Sequence, residues 1–445
     1  MTLSDFEKWL EQYLNFEKKP QKNIFWLDTM QFLCNEFGNL QNAIPCFHVA
    51  GSKGKGSVSM MIACILEEHG KKTGIYSSPH ILNFAERVSM PNKFFDDEIY
   101  SKSAEELVNK IENLNFPEQL KERPLTWFEL TTLFAMLCFK NAACDYSVYE
   151  VGLGGRLDST NVVNPLVSCI SRIELEHTKF LGDTLELIAG EKGGIIKENI
   201  PVIISSQTES VKNVFRKIAN EKNAPLSFVD EECEIKTELK NQNQYVEISS
   251  KNFSRKIKTN LKMLGSFQAE NAALASLAVK KAIPEITEDE IGRGLSKAFL
   301  PARFEIIKDV PDFKNLSTLV LDGAHTLNSV NFTMETFNAL FPKSQNSRHL
   351  LFACAADKDA EDIVCAFKNQ FDKIIITKPG FIKQSDLPRL EEALKNAGIE
   401  FSCIPDFNEA IEKSFKEADL NKATLLVTGS FYLISEVKKY VQHVL

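Results

Sequence analysis

The chain has 445 residues, of which 44% are hydrophobic and 25% charged, and its formal net charge is −8. This length exceeds what one hydrophobic core usually holds, so it predicts a globular protein of two domains. Lysine and arginine are spread along the whole chain, which argues against nucleic acid as the main partner. No apolar run approaches the roughly 18 residues of a membrane span, and the ten cysteines form no Cys-x-x-Cys pair. The sequence therefore predicts a cytoplasmic protein without a membrane segment or a zinc site.

Strands and helices alternate through the first part of the chain. The apolar runs that are typical of buried strands lie at 46–50, 72–78, 145–152 and 165–171. Helical patterns lie at 58–66, 128–142 and 183–197. Because strands separated by helices usually pair in parallel, this order predicts an α/β fold with a doubly wound, mainly parallel sheet.

The chain changes character after this region. Residues 226–262 alternate polar and apolar side chains, which predicts a small antiparallel section. Helical sequence returns at 267–299, and the proline in "FLPARFE" marks 299–304 as a linker. Five strand-like runs follow, with helical sequence between most of them. We therefore expect an N-terminal ATP-binding domain over 1–298 and a smaller, Rossmann-like α/β domain over 305–445.

The segment "AGSKGKGS" at 50–57 follows the first strand and precedes a helix. Its spacing departs from the usual phosphate-binding loop, because a glycine separates the lysine from the hydroxyl residue. Glycines allow backbone N–H groups to surround phosphate oxygens, and a helix N-terminus adds positive potential. The segment thus favours a phosphate site, with Lys55 on the terminal phosphates and Ser57 near a magnesium ion. The alternative interpretation is a flexible glycine turn.

Polar residues also follow the next predicted strands. "SSPH" at 77–80 comes after the second strand, Glu150 ends a buried strand, and His177 follows the strand after it. A buried carboxylate is costly unless it is paired or binds a cation. Because the carboxyl ends of parallel strands meet at one edge of a sheet, Glu150 and His177 are expected to converge there. A single histidine in such a place is nevertheless more often structural than a ligand.

The segment "YEVGLGGRLDSTN" at 149–161 combines close-packed glycines with two charged side chains, Arg156 and Asp158. A simple solvated loop would hardly need all of them, so the segment is a candidate substrate site. Lys192 lies on a helix that is otherwise apolar toward the sheet. A lone lysine on a helix is usually solvated, and the residues alone give it no role.

Seven segments that follow one another along the chain resemble the folylpolyglutamate synthase and dihydrofolate synthase family of the Mur ligase superfamily. They are "VAGSKGKGS", "GIYSSPHILNFAERV", "YEVGLGGRLDSTNVV", "LEHTKFLGDTLELIAGEKGGI", "PARFE", "LDGAH" and "GSFYL". Enzymes of this family use ATP to join a folate carboxylate to the amino group of L-glutamate, through an acyl phosphate. The resemblance implies the same activity here, with dihydropteroate, reduced folates or both as acceptors and a monomer as the working form.

The resemblance also implies a role for each matching residue. The nucleotide would be bound by Gly51, Gly54, Lys55, Gly56, Ser57, Asn271, Arg303, Asp322 and His325. Magnesium, in two sites, would be bound by Ser57, Ser78, Glu150 and His177. The acceptor substrate would contact Ser78, Pro79, His80, Thr126, Arg156 and Asp158. Lys55, Lys192, Glu150 and His177 would be catalytic, and Lys192 would be carbamylated.

The chain departs from the family pattern in four places. Lys53 stands where asparagine is common, Glu176 where aspartate is usual, and Phe267 where many relatives have histidine. Thr326-Leu327 replaces a common Asn-Pro after the histidine of "LDGAH". None of these changes removes a phosphate, magnesium or carbamate position, so activity is expected.

Other classes of protein remain possible at this point. A P-loop ATPase or GTPase switch would also use the glycine loop and Glu150, although the Asn-Lys-x-Asp guanine signature is missing. A further alternative is a non-catalytic folate- or nucleotide-binding protein, and the presence together of Lys55, Glu150, His177 and Lys192 argues against it. A cell-wall amino-acid ligase of the same superfamily usually carries an additional domain before the glycine loop, where this chain has about 45 residues.

Overall fold

The computed structural model describes residues 1–15, 26–381 and 383–443. The chain forms two compact units. The first comprises Met1–Thr237, Tyr245–Lys262 and Gln268–Phe299, and the second comprises Glu238–Gln244, Met263–Phe267 and Leu300–Leu445. Within the described ranges, none of the helices has the length and apolar character needed to cross a bilayer.

A seven-stranded sheet organises the first unit. Its strands are β1 (Cys46–Ala50), β2 (Thr73–Tyr76), β3 (Val88–Ser89), β4 (Tyr146–Glu150), β5 (Val167–Ile170), β6 (Val202–Ile204) and β7 (Leu226–Phe228). Their order in the sheet is β3-β2-β4-β1-β5-β6-β7. Every neighbouring pair is parallel except β2 and β3. The predicted doubly wound, mainly parallel sheet is confirmed.

Helices cover this sheet. They are α1 (Leu3–Leu10), α2 (Leu27–Glu36), α3 (Lys55–Glu68), α4 (Asp97–Glu112), α5 (Trp127–Asn141), α6 (Thr178–Leu181), α7 (Leu185–Gly193), α8 (Glu209–Glu221), α9 (Val229–Glu232), α10 (Ser266–Ala282) and α11 (Glu288–Lys297). Short 3-10 helices lie at Leu40–Asn42, Phe84–Arg87 and Ser159–Val162. Helix α5 is almost wholly apolar because nearly all of its faces are buried. Its aliphatic and aromatic side chains lie in one apolar core together with those of α4.

The antiparallel section begins later than the sequence pattern predicts. A three-stranded sheet consists of β8 (Cys233–Lys240), β9 (Asn243–Ser250) and β10 (Ile257–Leu261), with β9 in the middle. Asn241 and Gln242 form the tight loop between β8 and β9, and both have positive φ, as a two-residue hairpin turn requires. Residues 226–228 instead form β7, which pairs in parallel with β6. A three-residue run is too short for its alternation to identify its partner.

The second unit contains a six-stranded sheet in the order β11-β12-β16-β13-β14-β15. Its elements are β11 (Glu305–Ile307), β12 (Thr318–Asp322), α12 (Leu327–Leu340), β13 (Arg348–Phe352), α13 (Ala360–Cys365), β14 (Lys373–Ile376), α14 (Leu387–Asn396), β15 (Ser402–Cys403), α15 (Phe407–Leu420), β16 (Thr424–Thr428) and α16 (Phe431–His443). The five predicted strands are present and parallel. The sequence did not predict β11, which joins the edge of the sheet antiparallel to β12.

Candidate active site

The glycine loop connects β1 to α3. Gly51 has φ +139° and Gly54, the residue before α3, has φ +89°, which are angles that glycine adopts without strain. A Cβ atom at Gly51 would lie 1.9 Å from Oγ of Ser171, and one at Gly54 would lie 2.6 Å from Oδ1 of Asn271. Conformation and space therefore both demand glycine at these two positions.

Hydrogen bonds to the residues after β5 hold this loop in place. The backbone N–H of Ser52 donates to the carbonyl of Arg172 at 2.9 Å, and its hydroxyl donates to the carbonyl of Glu174 at 3.0 Å. The Lys55 ammonium folds back and donates to the Gly51 carbonyl at 2.9 Å. A fixed, glycine-rich turn with a lysine at the N-terminus of a 14-residue helix fits a phosphate group.

The order of the sheet brings further polar residues to the same edge. Strand β4 lies between β1 and β2, with Val49 opposite Glu150 and Tyr76 opposite Tyr149. Glu150 is buried at the carboxyl end of β4, and its Oε2 accepts a hydrogen bond from the Ser78 backbone N–H at 3.2 Å. The residues that follow β1, β2 and β4 therefore share one edge of the sheet.

Lys192 is not solvated, contrary to what its place on a helix suggests. Its side chain is buried on α7, and its Nζ lies 2.9 Å from Oε1 of Glu176. Burial is the main cause that lowers the pKa of Lys192 below its usual value, although Glu176 opposes this effect. Burial would raise the pKa of Glu176, but Lys192 and Lys55 outweigh it and hold this pKa well below the usual range. A buried carboxylate thus links Lys192 electrostatically to the glycine loop.

His177 directly follows Glu176 and precedes α6. Its backbone is in the left-handed region, with φ +47°. Ser57, on the first turn of α3, is buried. Across the described ranges, no cluster of three or more histidine, cysteine, aspartate or glutamate side chains is placed to hold a metal ion. A metal ion at this edge would therefore need hydroxyl and phosphate oxygens as ligands in addition to Glu150 and His177.

Two predicted substrate residues shape the backbone around the site. Both carboxylate oxygens of Asp158 are engaged: one accepts from the Gly152 and Leu153 N–H groups at 3.0 and 2.9 Å, the other from Thr160. Thr126 is the N-cap of α5 and shares a capping box with Glu129. These side chains hold the glycine turn after β4 and the start of α5 in place.

Two further predicted substrate residues have charged or polar partners. Arg156 pairs with Glu191 at 3.0 Å, next to Lys192 in the chain. The ring Nδ1 of His80 accepts a hydrogen bond from Nε of Arg87 at 2.8 Å. Arg87 was not predicted from the sequence, although it belongs to the segment "GIYSSPHILNFAERV".

Three predicted nucleotide residues, Arg303, Asp322 and His325, lie in the second unit, and two of them contact one aromatic ring. The Arg303 guanidinium carbon lies 4.3 Å from the centre of the Phe431 ring, and the His325 ring meets the same ring edge-on at 5.8 Å. Asp322, at the end of β12, accepts a hydrogen bond from the Ala324 N–H at 2.9 Å. Phe431 belongs to the segment "GSFYL", and no sequence pattern predicts a role for it. Asn271 is also predicted to bind the nucleotide, and it lies beside Gly54 in the first unit.

The family follows from comparison with known proteins. The Mur ligase middle domain matches residues 49–279, and the "Mur ligase, glutamate ligase domain" matches residues 302–431. The "Dihydrofolate synthase/folylpolyglutamate synthase" of Bacillus subtilis (strain 168) is 32% identical over 442 residues, which cover 98% of each chain. This chain belongs to the dihydrofolate synthase/folylpolyglutamate synthase family of Mur ligases. The prediction of an ATP-dependent, amide-forming ligase is confirmed, and the switch and binding-protein alternatives are excluded.

Solved structures support the same family. The Mycobacterium tuberculosis folylpolyglutamate synthase complexed with ADP has a TM-score of 0.84 and 25% identity, over 99% of this chain and 98% of that one. The E. coli FolC in complex with DHPP and ADP has a TM-score of 0.80 and 26% identity, over 98% of each chain. The predicted α/β fold class is confirmed by this likeness.

One departure from the family pattern has a structural explanation. Thr326 is the N-cap of α12, and its hydroxyl lies 2.9 Å from the Ser329 hydroxyl, which accepts the Thr326 N–H at 3.0 Å. Threonine and asparagine are both good N-cap residues, and leucine is accepted at the position after them. Thr326-Leu327 therefore keeps the helix start that Asn-Pro would give.

Replacing Thr326 with alanine is expected to destabilise the first turn of α12 by about 1 kcal/mol, because an N-cap side chain is lost. Hydrogen–deuterium exchange of peptides that cover 327–340 should show faster exchange in the variant. Thr326→Asn is the matched control and should keep the wild-type protection. Equal protection in the alanine and asparagine variants would contradict the capping role.

Proposed function

We propose that this enzyme adds L-glutamate to the carboxylate of dihydropteroate and to that of a reduced folate. The observation that supports the proposal best is the edge of the first sheet, where the glycine loop, Glu150 and the Lys192–Glu176 pair come together. The B. subtilis relative, whose name carries both activities, matches the chain over 98% of its length.

The carboxylate of the acceptor is a poor electrophile and must be activated before an amine can attack it. A carboxylate oxygen of the acceptor attacks the γ-phosphorus of ATP, ADP leaves, and an acyl phosphate forms. The neutral amine of glutamate then attacks the carbonyl carbon, loses a proton and displaces inorganic phosphate, which leaves an amide. In this scheme Lys55 and the amides of the glycine loop offset the charge on the transferring phosphoryl group. The protein contributes mainly position and electrostatics.

Magnesium fits the polar groups of this edge. We propose that Ser57, Ser78, Glu150 and His177 bind it in two sites, together with ATP phosphates. Mg²⁺ typically uses one or two carboxylates with hydroxyl, water and phosphate oxygens, and Glu150 is such a carboxylate. When bound, the ion supplies positive charge that stabilises the phosphoryl group during transfer.

We also propose that Lys192 is carbamylated when the enzyme works. Only a neutral amine reacts with carbon dioxide, and burial lowers the pKa of Lys192 toward that form. The carbamate would exchange the Glu176 contact for a contact with a cation at the phosphate site. Lys192 would then act as an anionic group beside the magnesium.

The remaining residues are assigned to the two substrates. We assign the nucleotide to Gly51, Gly54, Lys55, Gly56, Ser57, Asn271, Arg303, Asp322 and His325, and the acceptor to Ser78, Pro79, His80, Thr126, Arg156 and Asp158. The proposed domains are 1–298 and 305–445, with 299–304 as the linker. Since one chain carries all of these residues, we propose a monomer. All ten cysteines are free thiols, which supports a cytoplasmic location.

Product analysis tests the proposal directly. The enzyme would be supplied with ATP, magnesium and L-glutamate, and with either dihydropteroate or tetrahydrofolate as acceptor. A glutamate-sized mass gain on both acceptors is expected, with one phosphate released per amide. A gain on one acceptor would restrict the activity to that step, and phosphate release without any acceptor would contradict the proposal.

A Glu150→Gln enzyme is expected to need at least about tenfold more magnesium for half-maximal activity, because an amide oxygen replaces a charged ligand. The measurement is the initial rate of phosphate release as a function of magnesium concentration. Glu288→Gln is the matched control, since Glu288 is also buried but bonds to Ser254 on another part of the first unit. An unchanged magnesium requirement in Glu150→Gln would rule out this residue as a ligand.

A further inference from the structure

The segment 77–83, which we call the SSPH loop, carries residues assigned to the acceptor substrate. The chain leaves the sheet at the end of β2 and returns as β3, which pairs with β2 in antiparallel fashion. Glu86 and Arg87, the last residues before β3, therefore lie beside the start of the loop. The Ser77 N–H donates to the Arg87 carbonyl at 2.9 Å, and the Ser77 hydroxyl donates to the Glu86 carbonyl at 3.1 Å.

The Glu86 side chain holds the backbone of the SSPH loop. Its carboxylate accepts hydrogen bonds from the N–H groups of Ile81, Leu82 and Asn83 at 2.6, 2.8 and 2.9 Å. Charge-assisted bonds from three successive amides to one carboxylate fix the path of the chain directly after His80.

The Arg87 side chain holds the His80 ring. Arg87 is only 1% exposed, and its guanidinium carbon lies 4.7 Å from the centre of the Trp127 ring. Its Nε donates to Nδ1 of His80 at 2.8 Å. Arginine has no acceptor, so Nδ1 is the accepting nitrogen and the ring hydrogen belongs to Nε2. The same ring meets Phe84 edge-on, with 6.2 Å between the ring centres.

We propose that Arg87 is a positioning residue, which acts through His80 to select the acceptor substrate. This inference rests on the proposed function, in which His80 contacts that substrate. With Nδ1 committed to Arg87, His80 can donate to the substrate from Nε2 but cannot accept from it. The preferred acceptor therefore presents an oxygen or an unprotonated ring nitrogen to this histidine, as a pterin ring does.

Arg87→Lys tests the link, because lysine keeps the charge but loses the Nε donor and the flat face that packs on Trp127. The KM for the acceptor should rise about tenfold, with the KM for ATP unchanged. In a His80→Ala background the same substitution should raise the KM for the acceptor by less than about twofold. Arg123→Lys is the matched control and should behave as wild type, since Arg123 packs 4.9 Å from the Trp26 ring centre and pairs with Asp28.

Nitrogen NMR of histidine-labelled, full-length enzyme gives a readout that does not depend on activity. The His80 signals, identified by their loss in His80→Ala, should show hydrogen on Nε2 in wild type and in Arg123→Lys, but a mixture of tautomers in Arg87→Lys. Hydrogen on Nδ1 in wild type would overturn the inference, as would a tenfold effect that persists in the His80→Ala background. If the wild-type enzyme ligates glutamate to neither acceptor, the proposed function fails. The tautomer of His80 would still show whether Arg87 holds this ring.

Discussion

A Gly54→Ala enzyme is expected to lose at least about 100-fold in kcat/KM for ATP. The added Cβ would lie 2.6 Å from Oδ1 of Asn271, and an alanine at φ +89° is itself strained. The loop would have to move, which would displace its amides and Lys55 from the phosphates. Steady-state rates with ATP as the varied substrate, together with the melting temperature, measure the effect.

Gly70→Ala is the matched control for this substitution. Gly70 ends the turn after α3, has φ +77°, and has no atom within 4 Å of an added Cβ. Its replacement should cost about 1 kcal/mol of stability through backbone strain alone and leave kcat/KM for ATP near wild type. Similar losses of activity in both variants would mean that stability, and not the geometry of the glycine loop, explains the result.

A Lys192→Ala enzyme is expected to lose at least about 100-fold in kcat while its KM for ATP changes little. The substitution removes the group proposed to carry the carbamate beside the phosphate site. Labelling with ¹³C-bicarbonate provides the second readout, because a carbamate carbon signal should appear in wild type and be absent from the variant.

Stability must be separated from catalysis in this case. Removing one partner of a buried ion pair costs up to about 3–5 kcal/mol, and Lys55 still offsets part of the Glu176 charge in this variant. Lys212→Ala is the matched control, because Lys212 is also largely buried and pairs with Asp230 at 2.7 Å. It should lose stability but keep its kcat. An unaffected kcat in folded Lys192→Ala would contradict the role of this lysine.

The sequence predicts the central strands of both sheets because each is a continuous apolar run, as in β1 (CFHVA) and β16 (TLLVT). It misses β3, β6 and β11, which have two or three residues each. Such short strands exist because a neighbouring strand supplies their hydrogen bonds, and a local pattern cannot report a partner that lies far along the chain.

The residues of the candidate site likewise fall into those that the sequence predicts and those that it does not. The glycine loop could be predicted, because backbone angles restrict the residue type at Gly51 and Gly54. Lys192 could not be predicted from its own helix, since its burial comes from Glu176 and other residues outside α7. Only the resemblance to a family pointed to it. Arg87 was missed because its role depends on one contact, to His80, that no spacing rule describes.

The hydrogen bonds of Asp158 would affect how tightly an acceptor binds at the proposed site. Its carboxylate is bonded to the backbone N–H groups of Gly152, Leu153 and Thr160, so the glycine turn after β4 is held by the protein's own groups. Ordering a flexible residue costs about 1–2 kcal/mol. Here that entropy is lost when the chain folds, so an acceptor that binds as proposed does not bear this ordering cost again on binding.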